Sequence, residues 1–250
     1  LDCFSPEKEV ITEAKRMTYP FSKYLSGFSA LLFPSICKGC GEVLGGSRSV
    51  ICRACESGLP KTNFVEDPDN PVAQIFWGRA RVENAASVFY YRKGELLQKL
   101  IHQLKYKGGK ETGIYLGNIA GKLLTGTNIL RQADVLVPVP LHYRKQKIRG
   151  YNQTELLAKG IHEVTKIPVV SQAVIRTVHS QSQTRRGRFE RWQNVEGIFK
   201  VINHQHLVKK HILVLDDVVT TGSTLEAFCH ALEEVAGSKM SVLTIGYATG

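Results

Sequence analysis

Near the C-terminus the residues Asp216-Asp217-Val218-Val219-Thr220-Thr221-Gly222-Ser223-Thr224 set two carboxylates ahead of a run of hydroxyls and glycine. The apolar stretch Ile212–Leu215 reads as a strand ending at the acidic pair, and Ser223–Val235 reads as the helix that follows. Such a strand-to-helix junction points backbone N–H groups outward at the positive end of a helix dipole, which stabilises a bound anion. Thr220, Thr221, Ser223 and Thr224 add hydroxyl donors, and Gly222 permits close backbone approach. Carboxylates repel phosphate, so Asp216 and Asp217 make sense facing ribose hydroxyls and hydrated Mg²⁺. The plain alternative is a strand end with an Asp cap and a Ser/Thr turn. No G-x-x-x-x-G-K-[ST] occurs, which excludes a Walker-type loop.

A ligand carrying pyrophosphate needs a second anion site. The candidate residues are Pro138, Val139, Pro140, His142, Arg144 and Lys145, in a proline-stiffened segment at the end of the strand Asp134–Val139 and beyond it. Its alternative is a rigid turn with exposed charges. Arg149-Gly150-Tyr151-Asn152-Gln153 then opens the next helix. Gln181–Gln193, rich in glycine and arginine, reads as a loop able to close over a phosphorylated ligand, with Arg188 and Arg191 foremost, or as a solvated basic loop.

Cys37-x-x-Cys40 and Cys52-x-x-Cys55 form two knuckles separated by residues 41–51. Four thiolates at this spacing suit a closed, structural tetrahedral Zn²⁺; disulfides or a redox pair are the alternative. Cys229 reads as a buried small residue.

These residues need elements to position them. The expected strands are Ala85–Tyr91, Asp134–Val139, Pro168–Val170, Ile212–Leu215 and Met240–Tyr247. The expected helices are Glu95–Tyr106, Ile114–Leu124, Tyr151–Val164 and Ser223–Val235. Their alternation implies an α/β parallel sheet flanked by helices. Residues 1–16 read as a leader or added segment ahead of a natural start at Met17, 17–60 as a small N-terminal zinc ribbon, and 61–80 as a linker. Residues 81–250 read as the main domain. The net charge of +11, from 33 basic and 22 acidic residues, favours polyanionic partners. No apolar run is long enough to span a membrane, and the cytoplasmic reading is preferred to a secretory one.

The LDDVVTTGST segment resembles the phosphoribosyl pyrophosphate motif of type I phosphoribosyltransferases. That resemblance implies that Asp216 and Asp217 contact ribose hydroxyls and the Mg²⁺ shell, while Thr220–Thr224 hold the 5′-phosphate. The order of the cysteine knuckles, LKYKG at Leu104–Gly108, VPVPLH at Val137–His142, RGYNQ at Arg149–Gln153, SQTRRGRFERWQNVEGIF at Ser182–Phe199 and the acidic loop resembles the ComF/GntX family. The similarity runs from about Leu25 to Thr249. It implies a type I phosphoribosyltransferase-like fold, binding of phosphoribosyl pyrophosphate or a nucleotide, and a role in natural competence. There the partners implied are incoming single-stranded DNA and a DNA-uptake helicase or processing protein. Two alternatives stay open: an active phosphoribosyltransferase on an unidentified base or amine, and a regulator that senses the ligand without turnover.

Overall fold

Apolar runs without alternation make strands covered on both faces. In the computed structural model, which describes residues 34–45, 49–177 and 197–249, four such strands form the main sheet. In chain order the elements are α1 (Arg53–Ser57), α2 (Pro71–Gln74), β1 (Asn84–Tyr91), α3 (Leu96–Tyr106), α4 (Lys110–Leu124), α5 (Asn128–Arg131) and β2 (Val135–Pro138). They continue with α6 (Tyr143–Arg149), α7 (Gln153–Thr165), β3 (Val174–Arg176), β4 (Phe199–Val201), β5 (His211–Val219), α8 (Ser223–Glu233) and β6 (Lys239–Ala248).

The main sheet is wholly parallel in the order β1-β6-β5-β2, so β5 is central and its carboxyl end lies beside that of β2. Ile212, Leu213, Val214 and Leu215 are fully buried, which is why this stretch forms the middle of the sheet. A parallel sheet flanked by helices is the architecture expected from the alternation.

The strand β5 departs from expectation in length. It continues past Leu215 through Val219, with Asp216 in register with Thr244 and Val218 with Gly246. Pairing with β6 supplies the backbone partners, so the acidic pair sits within the strand's last residues rather than after it. The basic stretch after β2 is also not all loop, since Tyr143–Arg149 is helical, capped by His142 and ended by left-handed Gly150. None of its residues is buried, so no apolar stripe betrays it. Pro168–Val170 contributes a single parallel bridge, Val169 to Leu136, in place of a strand.

Helices α4 and α7 cross in close contact. A Cβ at Gly117 would stand 2.1 Å from Leu157 O, and one at Gly160 would stand 2.1 Å from Ile114 O. This crossing fixes where the N-terminus of α7 meets the sheet. Residues 61–80 connect by packing: Phe64, Val72, Ala73 and Phe76 are buried, and Asn70 Nδ2 donates to Ala85 O at 2.8 Å.

Candidate functional site

Successive residues of a strand face opposite sides of the sheet, so β5 presents its two carboxylates to different surroundings. Asp217 is buried. Its Oδ2 is held by Lys105 Nζ at 2.7 Å, from the end of α3, and by Gln153 Nε2 at 3.3 Å, from the first turn of α7. Its Oδ1 accepts the Val218 N–H at 2.7 Å. Gln153 Oε1 accepts from Arg149 Nη1 at 2.9 Å, and the Arg149 guanidinium lies 5.1 Å over the Tyr106 ring. Tyr151 Oη donates to Leu104 O at 2.5 Å. The segments Leu104–Gly108 and Arg149–Gln153, remote in sequence, thus meet around one carboxylate.

Asp216 accepts the Asp217 N–H at 2.8 Å through Oδ1. Burial, and then the adjacent Asp217 charge, push its carboxyl up to about 7, against the pull of that N–H, Lys105 and Arg176. A carboxyl so displaced at the carboxyl end of a central strand marks a candidate functional group.

The loop beyond is built on Gly222, which has φ +77° and serves as the N-cap of α8. Thr220, Thr221, Ser223 and Thr224 are exposed, with Thr221 Oγ1 3.2 Å from Ser223 Oγ. No side chain caps α8, so its first N–H groups are left for another acceptor. The segment read as a linker braces this loop from behind. Arg79 Nη1 donates to Thr221 O and Ile75 O, each at 3.1 Å, and Arg79 Nη2 pairs with Glu226 of α8. A Cβ at Gly222 would stand 2.2 Å from Ile75 Cγ2. We therefore expect Gly222→Ala to cost about 2 kcal/mol from left-handed strain and the clash together. In an Ile75→Ala background the same glycine change should cost only the backbone share, measured against Ile75→Ala alone. Chemical denaturation of these variants measures this, and a neutral Gly222→Ala would refute the close packing.

The candidate pyrophosphate residues divide. Pro138 closes β2, and Val139 donates its N–H to Leu215 O at 2.9 Å, which sets this pair directly beside the acidic strand end. Val139 O accepts from Thr154 Oγ1 at 2.7 Å and Asn152 Nδ2 at 3.2 Å, tying the turn of Pro140 to the start of α7. His142 Nδ1 is occupied in capping, accepting the Arg144 N–H at 3.3 Å. Arg144 folds back on its neighbour, with Nε donating to Tyr143 Oη at 2.9 Å. Lys145 is exposed on α6. Among the described residues, neither Arg144 nor Lys145 forms an ion pair with the acidic pair. Arg188 and Arg191 lie outside the described residues. No local sequence signal marks Lys105, Gln153, Arg149 or Arg79 as site residues. The first three lie within or beside quoted motif segments, but only the fold gives them a common partner.

Cys37, Cys40, Cys52 and Cys55 converge, with all four Sγ atoms within 4.8 Å of one another. Cys40 and Cys52 Sγ stand 3.7 Å apart, near the ~3.8 Å edge of a tetrahedron with metal–sulfur bonds of about 2.3 Å. The described cysteines are free thiols, so the disulfide alternative is not realised there. Burial raises the Cys37 thiol, but N–H groups of Cys40, Cys52 and Gly39 outweigh it and bring the thiol down to about 6. Burial and the neighbouring sulfurs push Cys55 up to about 12. Four thiols crowded this way resist sharing negative charge, and the donor set suits a metal cation that neutralises it. The cluster is seated on α3 and α4: Gln103 Nε2 donates to Lys38 O at 3.0 Å, and Ser49 Oγ to Tyr115 Oη at 3.1 Å.

No family model matches the chain. It is 30% identical over 117 residues to competence protein F of Haemophilus influenzae, covering 46% of this chain and 51% of that protein. It is 31% identical over 142 residues to the DNA utilization protein YhgH of Escherichia coli, covering 54% and 60%. It is 26% identical over 208 residues to competence protein ComFC of Bacillus subtilis, covering 80% and 78%. The matched part thus spans little more than half the length of the first two relatives. Among solved structures it is similar to glutamine phosphoribosylpyrophosphate amidotransferase from B. subtilis, at a TM-score of 0.41 and 17% identity, covering 57% of this chain and 30% of that one. Among the described residues no helix is long and apolar enough to cross a membrane.

Proposed function

We propose that this chain, a homologue of the ComF-type competence proteins and of the DNA utilization protein YhgH, binds Mg²⁺-phosphoribosyl pyrophosphate or a nucleotide in the service of DNA uptake. Asp216 and Asp217 meet the ribose hydroxyls and orient the waters of Mg²⁺, while Thr220–Thr224 take the 5′-phosphate. The carboxylate pair offers the hard oxygen donors that Mg²⁺ prefers, and the ion supplies charge neutralisation for pyrophosphate. Pro138, Val139 and Pro140 line the adjoining turn, with His142, Arg144 and Lys145 as its polar and basic flank. The four cysteines hold a structural Zn²⁺. The protein acts on the cytoplasmic side, with single-stranded DNA and a helicase or processing protein as partners.

One observation carries the reading. The central strand brings two carboxylates, one with its carboxyl raised to about 7, to a glycine-hinged loop whose four hydroxyl residues are exposed and whose helix N-terminus is uncapped. That pairing of acids with an anion cradle suits a sugar phosphate better than either half alone. A thermal shift with Mg²⁺-phosphoribosyl pyrophosphate tests it: we expect stabilisation that is lost in Asp217→Asn, and no response at saturating ligand would end the proposal. Release of pyrophosphate with a panel of bases and amines distinguishes an active transferase from a sensor. A salt titration of single-stranded DNA binding separates direct contact, which gives a steep slope, from a role through a partner.

A further inference from the structure

A cleft of about 660 Å³ is lined by the first cysteine knuckle, the last residue of β1 and α3, whose Lys105 reaches Asp217 of the acidic strand end. Four lysines line it: Lys38 from the knuckle, and Lys99, Lys105 and Lys107 along and just beyond α3. Among the described residues no carboxylate does. A concave surface with one sign of charge focuses its field and concentrates anions. The cleft is aromatic as well. Tyr91 and Tyr106 contribute rings, and His102 sits 4.8 Å from the Tyr106 ring. Lysines bind phosphate or carboxylate, and the rings offer faces to a planar group. The volume is that of a small-molecule pocket.

We propose that this cleft binds a small anionic ligand with a planar aromatic ring, of the class of a nucleoside monophosphate, as a second ligand beside the one at the acidic loop. The proposal rests on the loop reading above for the identity of the first ligand. What joins the two sites is Lys105, which lines the cleft and also pairs with Asp217 at 2.7 Å. A phosphate in the cleft draws on the same ammonium that steadies Asp217. The two ligands are therefore neighbours that sense one another through this side chain.

The test uses the full chain and adenosine 5′-monophosphate as probe, titrated by calorimetry in the presence of saturating Mg²⁺-phosphoribosyl pyrophosphate. The double variant Lys99→Glu/Lys107→Glu changes two exposed side chains away from the loop. We expect one equivalent of nucleotide to bind the wild type with the loop filled. The double variant should bind it at least tenfold more weakly, with the thermal shift by Mg²⁺-phosphoribosyl pyrophosphate retained. Equal affinity in the variant, or no nucleotide binding to the wild type, overturns the proposal. So does displacement of the nucleotide by phosphoribosyl pyrophosphate, because the probe was then in the loop. Binding of a short oligothymidylate but not of the mononucleotide also overturns it, by making the cleft part of a nucleic-acid track. If the variant loses the nucleotide and neither protein responds to phosphoribosyl pyrophosphate, the loop reading fails while the cleft site stands.

Discussion

Asp216→Asn is expected to make the protein more stable at pH 8 while abolishing its response to Mg²⁺-phosphoribosyl pyrophosphate. The native carboxyl is raised from its ordinary value near 3.8 to about 7, by burial first and by the Asp217 charge second. The folded state therefore holds this proton more tightly than the unfolded chain does. Its contribution to stability is complete below about pH 4 and is lost as pH rises through 7. At pH 8 the ionised group costs on the order of 2 kcal/mol, after allowance for solvent screening of a partly exposed side chain. Asparagine keeps the shape and removes the charge, so melting at pH 8 should rise by about 4–8 °C, with little change at pH 4. Asp217→Asn should go the other way, because it strips the buried partner from Lys105 and weakens the link to Gln153. Melting curves of both variants at the two pH values decide the matter. A lower melting point for Asp216→Asn at pH 8 would show that the acidic strand end carries no such cost.

The sheet was legible because its strands are short apolar runs bounded by turns and helices, and burial of Ile212–Leu215 and Met240–Ile245 follows from that pattern. The length of β5 was not. Asp216 and Asp217 look like the end of a strand, and only the register with Thr244 and its neighbours on β6 shows that the ladder continues through them. The helix α6 was hidden for the opposite reason: a run dominated by basic residues has no apolar period to read. In the candidate site, the loop hydroxyls, Gly222 and the cysteine knuckles carry local signatures. The supports of that loop do not. Arg79 looks like one more surface cation, and its bonds to Thr221 and Glu226 span more than a hundred residues. Lys105 ends an amphipathic helix where a solvated lysine is ordinary. Its pairing with Asp217 depends on where α3 lands against β5, which no local pattern encodes.

Stripping metal from the cysteine cluster is expected to unfold the knuckles selectively and to be felt in the basic cleft before the sheet. Among the described residues of 34–59, the buried apolar side chains are Cys37, Leu44, Val50, Ile51 and Leu59. A metal bridging four thiolates of two knuckles contributes folding free energy to a small module of this kind. Within it Lys38 donates its N–H to Val50 O at 3.0 Å, and Cys52 donates to Cys37 Sγ at 3.2 Å. Chelation, or Cys52→Ser, should release these amides to hydrogen exchange by at least a hundredfold while those of β5 and β6 stay protected. Tyr115 offers a second readout. Burial, and then its hydrogen bond to Glu56 at 2.5 Å, push its phenol up to about 12, and both depend on α1 staying docked. With the module undocked, this tyrosine should ionise near its ordinary value of 10, visible as tyrosinate absorbance at lower pH than in the untreated protein. Because Lys38 lines the cleft and Gln103 holds it to α3, the same treatment should weaken the proposed nucleotide binding there. Exchange that rises equally across β5 would show instead that knuckles and sheet unfold as one cooperative unit.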